Sequence, residues 1–238
     1  MGSNGLTSGQ ETIKRTIDVV VAAIGLTLCS PVLGVAWLLA TLETRSNGIF
    51  RQTRIGRDAK PFTVLKIRTM RVVRDEASTV TARGDHRITH SGVVMRALKV
   101  DELPQLVNVL RGDMSLVGPR PDVPGFADVL EGRDRIVLSV RPGITGPAAL
   151  AYRNEEALLA RARDPELFNR EVIWPDKVRI NRDYVERYSL RGDLRCLAAT
   201  ITGPFGGNRP ATPGAVSPTD QERASPGDEF APRSGIGG

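Results

Sequence analysis

Val19 through Leu42 is a run of 24 residues without one formal charge. That exceeds the about 18 that mark a membrane-helix candidate. A cleavable signal peptide shares the basic start, here Lys14 and Arg15, but its apolar region is only about 7–15 residues long. No small-x-small cleavage site closes this segment. A straight span conflicts with the flanks. Lys14 and Arg15 precede it, and Arg45, Arg51, Arg54, Arg57 and Lys60 follow it against only Glu43 and Asp58. Basic flanks prefer the cytoplasmic side, so both ends favour the same face. Pro31 in mid-segment lacks an N–H and clashes with the preceding turn, and Ser30 can offer its hydroxyl to carbonyls that Pro31 frees. A re-entrant helix, broken at Ser30-Pro31 over 13–42, accounts for segment and flanks together. A proline-kinked span is the competing reading, since such kinks are common in true spans.

The rest of the chain divides by composition. Residues 1–12 read as a disordered start. Residues 43–202 read as one basic domain of mixed α/β (α+β) class, mostly helical with a small strand element. Gly48–Arg54 and Pro61–Thr69 are strand-like runs around a Gly56-Arg57-Asp58 turn. Alternation puts Leu65 and Ile67 on one face and Lys66 and Arg68 on the other. Asp101 reads as an N-cap, with Pro104 in the first turn of the helix it opens. Arg153–Ala162 and Arg179–Ile201 are further helix candidates. Residues 203–238 hold 8 Gly and 6 Pro, a low-complexity composition that reads as a disordered tail.

Thirty-three Lys+Arg against 27 Asp+Glu leave a net charge of +6, which favours an anionic partner such as nucleic acid, phospholipid or a phosphorylated small molecule. Aromatics are only 5%, with no stacking pattern for single strands and no nucleic-acid motif. Two histidines, His86 and His90, and two cysteines far apart, Cys29 and Cys196, exclude a disulfide scaffold and the usual zinc spacings. Asp101-Glu102 is a carboxylate pair, and alone it could simply complement a helix dipole. Its neighbourhood is less ordinary. Arg96 lies five residues upstream, and Gly118-Pro119-Arg120-Pro121 is a stiff loop around one guanidinium. Arg141-Pro142-Gly143 repeats the device. A prepositioned guanidinium suits bidentate phosphate recognition.

These residues fall into strings that resemble one family. They are Lys14-Arg15-Thr16-Ile17-Asp18, Ser30-Pro31, Phe50-Arg51-Gln52-Thr53-Arg54-Ile55-Gly56, Lys66-Ile67-Arg68-Thr69-Met70, Asp101-Glu102-Leu103-Pro104-Gln105-Leu106, the run Asn108 to Pro121, and Arg141-Pro142-Gly143-Ile144-Thr145-Gly146. In this order, over Ile13 to Ile201, they resemble the bacterial sugar transferases known as monotopic phosphoglycosyl transferases. The resemblance implies transfer of a phosphosugar from a UDP-sugar to a polyprenyl phosphate, usually undecaprenyl phosphate, with release of UMP. That is the initiating step of exopolysaccharide, capsule or O-antigen synthesis. It implies a re-entrant helix broken at Ser30-Pro31, on the cytoplasmic face of the bacterial inner membrane. Asp101 matches the nucleophile of a ping-pong reaction through an aspartyl phosphosugar, and Glu102 the ligand of a Mg²⁺. Arg120, with Arg96, Arg141 and Lys66, would cradle phosphates, with Gly118 and Pro121 positioning the loop. Lys14, Arg15 and Arg51 would face phospholipid headgroups. A second copy of the chain and downstream glycosyltransferases are candidate partners.

The chain departs from the family pattern in two places. Many members follow Gly-Ile-Thr-Gly with Trp-Ala-Gln, whereas Pro147-Ala148-Ala149-Leu150-Ala151-Tyr152-Arg153-Asn154-Glu155-Glu156 stands here. Trp174-Pro175-Asp176-Lys177-Val178-Arg179-Ile180-Asn181 is the second. Both weaken any transfer of sugar preference. No multi-span region precedes the apolar segment, as expected of a minimal catalytic form. Leu194, Leu197, Ala198 and Ile201 share a helix side that suits either a membrane surface or the core. The rival readings are a catalytically silent scaffold of the same family and a basic, membrane-tethered anion-binding module.

Overall fold

The computed structural model describes residues 5–71 and 87–203. Residues 1–4 and nearly all of the Gly/Pro-rich tail lie outside the described residues.

The apolar segment is one helix, α1 (Ser8–Thr44), of 37 residues, or about 55 Å at 1.5 Å per residue. It starts five residues before the expected Ile13, so residues 8–12 are helical rather than disordered. The cause is local: Thr7 and Gln10 form a reciprocal capping box that serves two of the amides left open at a helix start. The helix continues through Pro31, so the break expected at Ser30-Pro31 does not divide it into two elements. The Ser30 hydroxyl donates to the Thr27 carbonyl at 2.8 Å. That carbonyl is the acceptor the absent Pro31 N–H would have served.

Both ends of α1 dock on the same globular body. Near its start, Lys14 Nζ lies 2.5 Å from Asp193 Oδ2, and the Leu116 amide donates to Asp18 at 3.0 Å. Near its end, Ala36 and Ala40 are buried with Ile67 and Met95, and Glu43 accepts from Ser91. Between these anchors the outer face is bare: Leu28 is 73% exposed, and Ile24, Val32 and Val35 are also exposed. The helix is long and apolar enough to cross a membrane.

Arg45, left-handed at φ 51°, ends α1 and leads into the expected hairpin. Strands β1 (Ile49–Ile55) and β2 (Pro61–Ile67) pair antiparallel from Ile49↔Ile67 to Ile55↔Pro61. Helix α2 (His90–Ala97) follows, then a 3₁₀ turn at Val100–Glu102 and α3 (Gln105–Arg111). Strands β3 (Ser115–Val117) and β4 (Gly143–Thr145) pair parallel. Short helices α4 (Pro147–Ala151), α5 (Glu155–Leu159) and α6 (Pro165–Phe168) precede α7 (Trp174–Glu186) and α8 (Leu190–Thr202). The fold is therefore mostly helical α+β with two small sheets. The helix expected over Arg153–Ala162 is only α5. The one expected over Arg179–Ile201 is two, because Ser189 caps α8 and accepts from the Gly192 amide at 3.2 Å.

The main core joins Ala22 of α1, Val64 of β2, Leu106 and Val109 of α3, Met114, Leu116, Val117 and Cys196 of α8. On α8, Leu197 packs against this core, while Leu194 and Ile201 point outward. The residues expected to share one side thus divide between core and surface. The loops around Arg120 and Arg141 pack on each other. A Cβ at Gly146 would stand 2.1 Å from the Gly118 carbonyl oxygen, so no larger residue fits that approach.

Candidate active site

Asp101 and Glu102 do not cap a helix. They lie on the 3₁₀ turn, which Lys99 enters in the left-handed region at φ 57°, while α3 begins at Gln105 with Pro104 at its N-cap. The turn folds the two carboxylates inward, and each is only 9% exposed. Buried carboxylates require cationic partners or a proton, and here the two differ.

Glu102 is clamped. Arg120 pairs with its Oε1 through Nη2 and reaches Oε2 through Nη1 at 3.4 Å. Lys66 Nζ lies 3.3 Å from Oε1. Burial pushes the Glu102 carboxyl up, but Arg120 and Lys66 outweigh it and hold the group well below the ordinary carboxylate range. Asp101 moves the other way. Burial and the neighbouring Glu102 charge raise its proton affinity against the opposing pull of Lys66, Lys99 and Arg96. Its Oδ1 is buried with no hydrogen-bond partner among the described residues. One carboxylate is thus committed to cations, and the other keeps a lone pair unengaged.

Lys66 reaches the site because Asn108 holds its strand. The Asn108 amide donates to the Thr63 carbonyl at 2.7 Å and its oxygen accepts from the Leu65 amide at 3.1 Å. This locks β2 against α3, and alternation then turns Lys66 toward Glu102. Burial and the Arg120 charge both lower the Lys66 pKa. Arg120 leaves the end of β3. Its loop is fixed by Arg54, which donates to the Pro121 carbonyl at 3.3 Å, and by the Ile55 amide, which donates to the Asp122 carbonyl at 2.8 Å.

The structure brings Lys66 and Arg120 onto Glu102, and the Arg96 charge acts on Asp101, but Arg141 does not join them. The Arg141 guanidinium donates to the Gly112 carbonyl and to Glu11, each at 3.0 Å. The cause is its place by the start of β3, where the Ser115 amide bonds the Pro142 carbonyl, whereas Arg120 follows the end of that strand. Lys14 and Arg15 also differ from expectation. Lys14 is buried with Asp193, and Arg15 donates to the Val109 and Leu110 carbonyls at 2.6 and 3.1 Å. These close the C-terminal end of α3, where a cation is favourable, so neither side chain is free for headgroups. Arg51 is exposed.

Sequence reasoning missed Arg54 and Asp122. Burial raises the Asp122 carboxyl to about 7, against the opposing charges of Lys177, Arg54 and Arg120. Only its position directly after Pro121 signalled it. Among the described residues no three His, Cys, Asp or Glu side chains gather as a metal centre. The donor set still fits Mg²⁺, which is commonly held by one or two carboxylates with substrate phosphates and water. Glu102 Oε2, with its single long contact, is the oxygen left to face a cation.

The sequence pattern described as bacterial sugar transferase matches residues 9–207, a stretch that includes all of α1 but its first residue, the carboxylate turn and the Arg120 loop. The chain belongs to the bacterial sugar transferase family. Among its relatives is the UDP-glucose:undecaprenyl-phosphate glucose-1-phosphate transferase of Caulobacter vibrioides, 39% identical over 79% of this chain and 68% of that protein. The Escherichia coli protein of the same description is 35% identical over 81% of this chain and 40% of its own length. The exopolysaccharide production protein ExoY of Rhizobium meliloti is 31% identical over 79% and 83%. This sugar transferase thus spans well under half of the E. coli relative and about two-thirds of the Caulobacter one.

Proposed function

We propose that this sugar transferase moves a phosphosugar from a UDP-sugar to undecaprenyl phosphate, releasing UMP and forming undecaprenyl diphosphate-sugar as the first step of a polysaccharide. The relatives' descriptions support the acceptor and the reaction class. The observation that carries the chemistry is the asymmetry of the pair, with Glu102 bound by Arg120 and Lys66 and Asp101 Oδ1 buried and unengaged.

Asp101 attacks the β-phosphorus. A bond forms between its Oδ1 and that phosphorus, and the bond to the bridging oxygen breaks, its electron pair leaving with UMP. An oxygen of the polyprenyl phosphate then attacks the aspartyl phosphorus and returns Asp101 as a carboxylate. Burial makes the Asp101 carboxylate more basic than an exposed one, which favours attack. Approach of two anions needs positive charge at the phosphate, and Arg120, Lys66 and Arg96 supply it. Mg²⁺ on Glu102 would supply further charge neutralisation on the diphosphate.

The acceptor is a lipid, and α1 supports its delivery at a membrane. Both ends of the helix dock on one globular body, so a re-entrant course at the cytoplasmic face satisfies the docking, the bare apolar middle and the basic flanks together. The test is nucleotide release in nanodiscs containing undecaprenyl phosphate and Mg²⁺, with a panel of UDP-sugars. UMP is the expected product, lost on chelation of the metal. UDP as product means ordinary glycosyl transfer and contradicts the reading.

A further inference from the structure

The two segments that depart from the family pattern, 147–156 and 174–181, are brought together by the fold. Tyr152 Oη donates to Asp176 at 2.7 Å. Lys177 Nζ lies 2.6 Å from Glu155 and 5.6 Å above the Tyr152 ring. The start of α7 is held in turn against the loop after Pro121, because Trp174 stacks edge-to-face on Phe126 with ring centroids 5.3 Å apart. Through this contact α7 carries Lys177, and Glu155 paired with it, to the loop that follows Arg120 and Asp122. The electrostatics agree: Lys177 acts on the Asp122 carboxyl, and Glu155 on the Arg120 guanidinium. Neither partner is sealed in, the Lys177 and Glu155 side chains being 21% and 29% exposed.

We propose that this face, built from Glu155 and Lys177, recognises the sugar of the donor and sets which sugar is transferred. The inference rests on the phosphosugar-transfer reading above. Its chemistry suits a polyol. Glu155 offers carboxylate oxygens to hydroxyl groups and Lys177 offers N–H donors, a pairing that a neutral sugar can bridge. It suits a nucleobase less well, since the ring beneath the pair, Tyr152, is only 6% exposed and lies under Lys177, so that ring offers little surface for stacking. Position agrees as well. The sugar is carried by the phosphorus that Asp101 attacks, so it lies one bond from the phosphate beside Arg120, while the uridine departs.

The test compares UDP-glucose with UDP-N-acetylgalactosamine as donors for the full chain in nanodiscs. Glu155→Gln keeps the shape and removes the charge, and Lys177→Met does the same for the cation. Each variant is expected to shift the ratio of kcat/KM for the two donors by about tenfold or more, since a site that hydrogen-bonds a substrate group discriminates strongly. Inhibition by UMP should stay within about twofold of wild type, because UMP carries no sugar. Loss of both donors in proportion, with weaker UMP inhibition, assigns the face to the nucleotide and overturns the inference. Loss in proportion with UMP inhibition unchanged and a lower melting temperature makes the pair structural and also overturns it. Glu155→Gln is the decisive variant if Lys177→Met does not fold. Wild type that releases no UMP from any donor contradicts the underlying reading, whereas an active variant with an unchanged ratio contradicts only the assignment of this face.

Discussion

Lys14 Nζ lies 2.5 Å from Asp193 Oδ2, joining the start of the long apolar helix α1 to α8, 179 residues further along the chain. Both groups are buried, and Asp193 also accepts from Tyr184 Oη at 2.8 Å. Removing one partner leaves the other charge buried without its counterion, which typically costs about 3–5 kcal/mol. Asp193→Ala is therefore expected to lower the melting temperature sharply. Lys14→Met combined with Asp193→Ala should recover part of the loss, because no lone charge remains. Thermal melts in one detergent check both, and a double variant no better than the single contradicts the pairing.

Two arginines that look alike in sequence should behave differently. Arg120 holds Glu102 beside Asp101, the proposed nucleophile, and Arg120→Ala is expected to cost about 10²–10³ in kcat, as for other preorganised donors. Arg141 holds Glu11 and Gly112 instead. Arg141→Ala should leave kcat and donor KM within a few-fold of wild type and act mainly on stability. Equal loss of kcat in the two variants contradicts the placement.

Asp122 adds a pH dependence with a definite sign. Burial raises its carboxyl from 3.8 to about 7, so the folded state binds the proton more tightly than the unfolded chain. Its contribution to stability is fully present below about pH 4 and is lost as pH rises to about 7. Asp122→Asn does not titrate. The melting temperature of Asp122→Asn minus that of wild type should rise between pH 4 and 7 and flatten above. A constant difference over that range contradicts the shift.

Topology is the next expectation. Single cysteines placed at residue 10 and residue 46, in a background with Cys29 and Cys196 replaced, should both react with an impermeant thiol reagent in inverted vesicles and neither in intact cells. Labelling of the two from opposite sides indicates a span and contradicts the re-entrant course.

Much of this architecture was legible in the chain. Charge-free residues over 24 positions marked α1, alternation marked β2 and turned Lys66 away from Leu65, and Gly118-Pro119-Arg120-Pro121 marked a rigid arginine loop. Local chemistry also anticipated the Ser30 hydroxyl serving a carbonyl that Pro31 frees. Other features were not legible, because they depend on contacts between distant segments. Nothing local distinguishes Arg141 from Arg120, since each sits beside proline near glycine, and only the order of β3 and β4 sends them to different partners. Lys14 and Arg15 look like headgroup contacts until Asp193 and the end of α3 are found against them. Asp101 reads as a helix cap because Pro104 tolerates a first turn, yet the chain uses a 3₁₀ turn that buries both carboxylates. Asp122, Glu155 and Lys177 converge from three separate segments, and no spacing announces them.

Capture of the aspartyl intermediate decides whether Asp101 is the nucleophile. The protein is incubated with a productive UDP-sugar labelled in the β-phosphate, without polyprenyl phosphate, and then digested and sequenced by mass spectrometry. Sugar-phosphate is expected on the peptide that contains Asp101, with UMP in equal amount, loss of the label when undecaprenyl phosphate is added, and no label in Asp101→Asn. Asp101→Asn that still takes up the label, or UMP release that requires acceptor with no labelled protein at any time, would contradict it.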